Sequence, residues 1–527
     1  MRLSQLKIIE AKSCGGLLDG LEVDFGERLA IDGVGEQGIV PLCLIGPNGS
    51  GKSQLLQLLA EIFQTAWNHH DDSVERLSAN DDTLFELTYL IRPSPNSDWE
   101  RVRLSRLREG RRVKFSVSRL RDGVFEREDW TNRKVAALLP SLIVGYSSGD
   151  NETLSLPFLI SRSGYAADVR DTAQGKRGLT EPVKKNNLLR IDYSNHLEVL
   201  VATQMIADAD LCDVVLAHAQ LEALSSFRCR IRLNGSATPN IDLTKELEKT
   251  IDALKNSATC WGYEEKTRSY TLDYYVTDAT RKAFDVFFDE AFKLYRSLNA
   301  LDMLNDLAIP ASARERVMRD AKRRRFAAQL PEPQDEVKVF LFEELRFLKR
   351  VVGSETVVDY VSLSDGEHQQ AQMLAMLGII RDQSALFLLD EPESHLNPKW
   401  RVKFASLLAE VVPDKNDQEI LITSHAPFLP SDIDREQVLI FRKDEKTDSV
   451  QVENPSMQTF GATYDRILDS CFGVEPPISG LARSEIARLM ETEDVDLLRR
   501  ELHKLGPSVE KTLIADRLRR MTDSAGD

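Results

Sequence analysis

Gly46-Pro47-Asn48-Gly49-Ser50-Gly51-Lys52-Ser53 lies between a short apolar run, Ile39 to Ile45, and a segment in which Leu55, Leu56, Leu58, Leu59, Ile62 and Phe63 recur at helical spacing. The octet fits the pattern G-x-x-x-x-G-K-[ST], and strand, loop and amphipathic helix follow in the order that pattern requires. Glycines let backbone N–H groups curl around phosphate oxygens, and the helix N-terminus adds favourable partial charge. At this spacing Lys52 reaches the β- and γ-phosphates of ATP, and the Ser53 hydroxyl is placed to ligate Mg²⁺. A glycine-rich turn with a chance lysine would not need those flanking elements.

Far along the chain, Ala385-Leu386-Phe387-Leu388-Leu389-Asp390-Glu391 is an apolar strand ending in two acids. A buried strand delivers a carboxylate rigidly, so Asp390 suits Mg²⁺ through bound water. Glu391 is then placed to orient or deprotonate the water that attacks the γ-phosphate. Upstream, Leu363-Ser364-Asp365-Gly366-Glu367 opens a helical run, His368 to Ile380. Ser364 and Gly366 before a helix make an anion site, although a Ser-x-Gly turn is more often only a helix cap. Thr423-Ser424-His425 follows the strand Ile420 to Ile422, where a lone histidine is more often structural than catalytic.

Together these elements resemble the ABC-class ATPases, over about residues 1–165 and 340–445. Within that class LSDGE and DEPESHLNP are closer to the soluble RecF, SbcC and OLD-like branch than to membrane transporters. The resemblance implies an α/β fold. Its ATPase head would combine a mixed β lobe and a parallel-sheet phosphate-loop lobe, with a mainly helical insertion between phosphate loop and signature. It implies that Ser364 and Gly366 contact the ATP γ-phosphate held by a second subunit, that Ser394 to Asn397 communicate across that interface, and that His425 senses the γ-phosphate. Asn397 stands where many relatives carry Asp. The glutamine loop of the class has no glutamine here, since Tyr146-Ser147-Ser148-Gly149-Asp150-Asn151 leaves its contact to Asn151 or a serine. VGYSSGDNE at 144–152 and TFGATYDRILDSCFG at 459–473 resemble restriction-associated ATPases and the PtuA group of Septu and retron anti-phage systems. That implies a homodimer or an assembly of dimers regulating a separately encoded HNH-type nuclease, with a reverse transcriptase and RNA as further partners in a retron. A DNA-repair ATPase acting directly on DNA, and an ATP-bound scaffold with negligible turnover, are the alternatives.

Working outward, Leu3 to Ile9, Leu21 to Phe25, Leu84 to Ile91, Arg101 to Leu107, Val113 to Leu120 and Leu142 to Val144 read as strands. Polar residues from Asp168 to Asn187 read as a flexible connection, and His196 to Leu221 and Thr280 to Phe326 as mostly helical. Strands return at Val337 to Phe342, and the last ~45 residues read as helices by their apolar spacing. The expected division is an N-terminal ATPase lobe at 1–168, a helical insertion at 169–336, a second ATPase lobe at 337–447 and a helical region at 448–527. Sustained heptads are absent from the insertion, so a long coiled-coil arm is not expected.

Composition narrows the class further. Six scattered cysteines, with no close pair, read as reduced thiols, and the N-terminus has no apolar signal core, so a cytoplasmic protein is expected. No run approaches the ~18 apolar residues of a membrane span. A formal charge of −16 argues against coating nucleic acid through bulk charge. Two segments run against that balance: residues 100–121 hold nine basic and two acidic residues, and 313–325 seven and two. Either would suit phosphate contacts, or simply ion pairs with the many acids of the chain. Asp494 and Asp496 are the D-x-D candidate for an OLD-type nuclease, but they lie in helical spacing, so nuclease activity in this chain is not expected.

Overall fold

The computed structural model describes the chain except residues 27–40, 77–79, 81, 95–96, 149–151, 176–182, 192–195, 218, 236–239, 323–331, 352–353, 361–362, 381–383, 413–417, 445, 448, 476–477 and 525–527. In chain order, β1 (Arg2–Glu10), β2 (Glu22–Asp24) and β3 (Leu42–Ile45) lead to α1 (Lys52–His70). Then come β4 (Leu84–Ile91), β5 (Glu100–Glu109), β6 (Arg112–Arg121), β7 (Val124–Glu128), β8 (Leu142–Ser147), α2 (Glu152–Arg162), α3 (Tyr165–Ala173) and β9 (Leu188–Ile191). The middle of the chain holds α4 (His196–Ile206), α5 (Ala209–Ala217), β10 (Leu221–Arg232), α6 (Lys245–Ser257), β11 (Cys260–Glu264), β12 (Ser269–Tyr275), α7 (Asp278–Phe288), α8 (Ala291–Asp302) and α9 (Ala311–Lys322). It continues with β13 (Phe340–Val351), β14 (Ser354–Asp359), α10 (Asp365–Ile379), β15 (Ala385–Asp390), α11 (Pro398–Arg401), α12 (Phe404–Val411), β16 (Glu419–Ser424), α13 (Phe428–Ser431), β17 (Val438–Lys443) and β18 (Val450–Glu453).

Three sheets organise these elements into a mixed α/β fold. A six-stranded antiparallel sheet runs β2-β1-β4-β5-β6-β7, and a seven-stranded sheet runs β18-β17-β3-β16-β15-β8-β9. In the second sheet every pair is parallel except β17 with β18. Strands from both ends of the chain therefore share it, and the phosphate-loop strand β3 lies beside β16 from the distal half. Central strands β15 and β16 are buried throughout, as expected of parallel strands covered on both faces. Helix α1 joins both sheets in one core with Phe63, Tyr89, Leu104, Leu388 and Leu421. It is buried on nearly all sides, more than an amphipathic surface helix would be. Within it Gln57 Nε2 donates to Glu61 Oε1 at 2.8 Å, and Asn80 Nδ2 donates to Glu61 Oε2 at 2.5 Å.

The middle of the chain, expected to be mainly helical, also contributes strands to a sheet. Helices are abundant there, yet β10, β11 and β12 join β13 and β14 in a five-stranded antiparallel sheet, ordered β11-β12-β10-β13-β14. Strand β10 carries the physical reason, because Phe227, Cys229 and Ile231 are buried while Arg228, Arg230 and Arg232 between them are not. Phe227 stacks on Tyr274 of β12 with ring centroids 4.3 Å apart. The sheet continues across residue 336, and helix α3 crosses residue 168, so part of the expected connection from Asp168 is helical. Residues 176–182 of that connection, and Ile39 and Val40 of the first expected strand, lie outside the described residues.

Contacts divide the chain into two compact units, Met1–Gly461 and Ala462–Asp527. The second unit holds α14 (Tyr464–Phe472), α15 (Gly480–Glu491), α16 (Val495–Leu502) and α17 (Val509–Ser524). Its small core is Leu489, Leu498 and Ile514, with Ile486, Leu502, Leu505, Leu518 and Met521 packed around it.

Candidate functional site

Four adjacent parallel strands, β3, β16, β15 and β8, end on one edge of the seven-stranded sheet. Their register sets Thr423 beside Asp390 and Ile45 beside Ser424, with Ser147 on the other side of Asp390. The carboxyl edge of a parallel sheet is where an α/β fold offers loops and helix N-termini to a ligand.

The loop after β3 needs its glycines. Gly46 has φ +144°, and a Cβ there would lie 2.3 Å from the Phe441 carbonyl oxygen. Gly51 caps α1 at φ +92°, where a Cβ would meet Leu18 Cδ2 at 2.7 Å. Pro47, Asn48 and Gly49 are exposed on the crest, while Ser50, Gly51 and Lys52 are buried. Lys52 Nζ donates to Gly46 O at 2.8 Å and Pro47 O at 3.0 Å, which holds the ammonium inside the curl of the loop. Burial pushes its pKa down to about 8, against the opposing pull of Asp390 and Glu391.

Ser53, the first α1 residue after Lys52, reaches across the sheet edge. Its Oγ donates to Asp390 Oδ1 at 2.9 Å and Oδ2 at 3.1 Å, joining positions 337 residues apart. Thr423 Oγ1 donates to Asp390 Oδ1 at 2.6 Å and accepts from Glu391 N at 3.0 Å. Glu391 has φ +50°, an unusual conformation for a non-glycine residue and costly by roughly 1–3 kcal/mol. His425 Nε2 lies 2.9 Å from Glu391 Oε1. Burial, and then the Lys52 charge, hold this imidazole below its ordinary pKa despite the two acids. At neutral pH the contact is therefore a neutral N–H donating to a carboxylate rather than a full ion pair.

The signature segment occupies the N-terminus of α10. Ser364 is the exposed N-cap, and its N–H and hydroxyl both donate to Glu367 Oε2, at 2.8 and 2.7 Å. A Cβ on Gly366 would stand 3.0 Å from the His395 carbonyl oxygen, so α10 begins directly against the 394–397 loop. That loop is tied elsewhere too. His395 Nε2–H donates to the Ser148 carbonyl, and Arg401 Nε to Leu396 O at 2.9 Å. Asn397 caps α11 by accepting from Lys399 N at 3.0 Å.

Phosphate loop, Ser53, Asp390, Glu391 and His425 are thus gathered at one edge, with Lys52 electrostatically coupled to both acids. Thr423, Glu393 and Ser424 also belong to this edge and were not foreseen. Thr423 and Ser424 stood in the Thr-Ser-His triplet, but only register pairs them with residues 390–393. Of the glutamine-loop candidates, Ser147 and Ser148 lie at the end of β8, and Gly149, Asp150 and Asn151 lie outside the described residues.

A family model described as an AAA domain of AbiEii type, type IV TA system, matches residues 219–432. That span contains Ser364, Asp390, Glu391 and His425 but not the phosphate loop. Septu protein PtuA from Bacillus thuringiensis is 24% identical over 131 residues, covering 24% of this chain and 32% of PtuA. Over residues 219–432 the chain is thus similar to AAA domains, and over a shorter stretch to PtuA. The alignment spans about a third of the length of that relative. Among solved structures, the SMC head domain from Thermotoga maritima is 11% identical, with 87% of this chain and all of that chain covered at a TM-score of 0.33. The Smc head with coiled coil and joint from Pyrococcus yayanosii is 12% identical, with 86% and 97% covered at 0.31. Nothing further rests on likenesses at that level.

The donor set suits the expected ion. Ser53 and Asp390 offer a hydroxyl and a carboxylate, hard oxygen donors of the kind Mg²⁺ takes together with water and phosphate oxygens.

Proposed function

We propose that the chain is an ATP-binding and ATP-hydrolysing switch of bacterial anti-phage or restriction-associated defence, which regulates a separately encoded nuclease, of HNH type, through ATP-dependent closure of a dimer. The observation that carries the reading is the meeting of Ser53, Asp390, Glu391 and His425 beside a buried phosphate-loop lysine. The relation to PtuA supports the defence context.

Ser53 and Asp390 would hold Mg²⁺, which would supply charge neutralisation at the β- and γ-phosphates. Backbone N–H groups of residues 48–52 and the Lys52 ammonium bind the same phosphates. Glu391 accepts a proton from the attacking water, and Thr423 holds its strained backbone in place. His425 holds Glu391 in place and faces the γ-phosphate. The Ser364–Gly366 helix start serves the nucleotide of a second subunit, so ATP contacts both subunits when the dimer is closed and one when it is open. Binding therefore shifts the population toward closure.

Glu391→Gln tests this directly. The amide keeps the shape and removes the base, so ATP binding persists while multiple-turnover phosphate release falls about 100-fold or more. Release at the wild-type rate would sink the assignment. Turnover that DNA stimulates without any partner would favour a repair ATPase, and slow turnover that neither DNA nor partner alters would favour a scaffold.

A further inference from the structure

Between the strand that ends in Asp390 and the loop that meets α10 lies a carboxylate to which neither reading above gives a role. Glu393 is 3% exposed. Its Oε1 accepts from the hydroxyl of Ser424, the fully buried residue that precedes His425. Its Oε2 is buried with no hydrogen-bond partner among the described residues. Burial pushes the carboxyl upward from its ordinary pKa, the Ser424 bond opposing it. Keeping a half-satisfied acid in such a place costs stability, and that asymmetry calls for a reason.

Ser424 supplies one. Its Oγ accepts from Ala426 N at 3.0 Å and also faces Ala426 O at 3.2 Å, so the hydroxyl spans the turn in which His425 is the middle residue. A serine hydroxyl has a single proton to donate. When Glu393 accepts it, the lone pairs stay with the Ala426 N–H and the turn keeps one form. Without that acceptor the proton turns to the Ala426 carbonyl, and the hydroxyl no longer holds a single orientation under His425. On the other side, Glu393 O accepts from Leu396 N at 3.0 Å, at the start of the loop whose His395 carbonyl abuts Gly366.

We propose that Glu393 is a positioning residue: through Ser424 it fixes the turn that carries His425, and it ties that turn to the 394–397 loop against which the signature helix begins. This inference rests on the ATPase reading, and it adds to that reading the internal connection between the γ-phosphate side of one subunit and the surface it presents to the other.

The test uses the full chain with Glu393→Ala, Ser424→Ala, the double variant and Glu393→Gln. Steady-state ATP hydrolysis is measured beside the His425 ring resonance in ¹³C-histidine-labelled protein, assigned by its loss in His425→Gln. Each alanine variant should lower kcat about tenfold or more while the KM for ATP stays within about twofold, because geometry is lost and not ground-state binding. The double variant should be no worse than Ser424→Ala, since that change already removes the bond to Glu393. Glu393→Gln should recover most of the loss, and the His425 resonance should move in both alanine variants. An unmoved resonance in folded Glu393→Ala, losses that multiply in the double variant, or a raised KM at constant kcat would overturn the proposal. If Glu393→Ala does not fold, Ser424→Ala reads the same bond from its other end. A wild-type chain that hydrolyses no ATP would sink the ATPase reading instead, while the resonance still decides the contact.

Discussion

Lys52 sits where burial and charge oppose each other, and the balance sets a pH dependence. Its pKa of about 8 lies below the ordinary lysine value of 10.5. Between those values the unfolded chain holds a proton that the folded chain has released. The burial penalty therefore weighs on the fold below about pH 8 and fades as pH rises toward the unfolded value. Nucleotide binding runs the other way, because a phosphate needs the charged form. ATP affinity should weaken about tenfold or more from about pH 7 to about pH 9.5 in the wild type, as read by calorimetry. A flat profile in the wild type would contradict a phosphate contact through this ammonium. The same loop explains Lys52→Ala, in which ATP binding should be largely lost.

Among elements, α10 and the five-stranded sheet make separate demands. Ser364 is the exposed N-cap of α10, with Glu367 folded back on its N–H and hydroxyl. Ser364→Arg should leave nucleotide binding by one subunit nearly intact and abolish ATP-dependent closure, because the bulky cation fills the space that the partner's γ-phosphate needs. Light scattering on Glu391→Gln with and without the added change checks it. An unchanged ATP-induced mass increase would mean that Leu363–Glu367 is a plain helix cap. Beside the sheet, in the short helical turn Met303–Ala308, Asn305 is 4% exposed and accepts from Val339 N at 2.7 Å and Phe340 N at 2.9 Å, while its Nδ2 donates to Phe340 O at 2.9 Å. Asn305→Ala strands these groups where β13 begins, and should destabilise the fold by about 3 kcal/mol. A melting temperature unchanged from the wild type would show that water replaces the amide. Not every strand of this sheet shows an alternating pattern. Strand β11 is exposed along its whole length and shows no inside–outside alternation, so only pairing with β12 makes it a strand.

For the molecule as a whole, the question is where chemistry on nucleic acid resides. Asp494 caps α16 by accepting from Leu497 N at 2.9 Å, and Asp496 is a 94% exposed side chain 3.8 Å from Arg499. Asp494 stands at the start of a second helix, after α15 ends at Glu491. A two-metal site needs several acids converging on ions about 4 Å apart, which a cap and a solvated face do not supply. The chain alone should hydrolyse ATP and cleave neither DNA nor RNA with Mg²⁺ or Mn²⁺, cleavage appearing when a separately encoded nuclease is bound. Nicking by the wild type that vanishes in Asp494→Ala/Asp496→Ala would reveal a nuclease site at that pair. The basic hairpin of β5 and β6 is largely answered from within the chain: Arg119 pairs with Glu100 at 2.8 Å and Glu128 at 3.2 Å, Arg121 with Glu128 at 2.7 Å, and Arg103 lies over the Phe125 ring. Of the second basic segment, Arg323, Arg324 and Arg325 lie outside the described residues. No helix among the described residues is long and apolar enough to cross a membrane.

What the sequence determined by itself was local. The strand, loop and helix around Lys52, the acidic end of β15 and the helix start at Ser364 were legible because each is a contiguous stretch whose backbone conformation its own residues demand: glycines at Gly46 and Gly51, an apolar run before Asp390, a serine with Glu367 three positions on. What only the tertiary structure decided was which of these stretches meet. The Ser53 contact with Asp390, the Thr423 support beneath Glu391, the Glu393–Ser424 bond and the gathering of β10 to β14 into one sheet depend on strand order and register. Register between strands hundreds of residues apart is set by which arrangement buries the most apolar surface while pairing every backbone group, a property of the assembled core that no single segment carries.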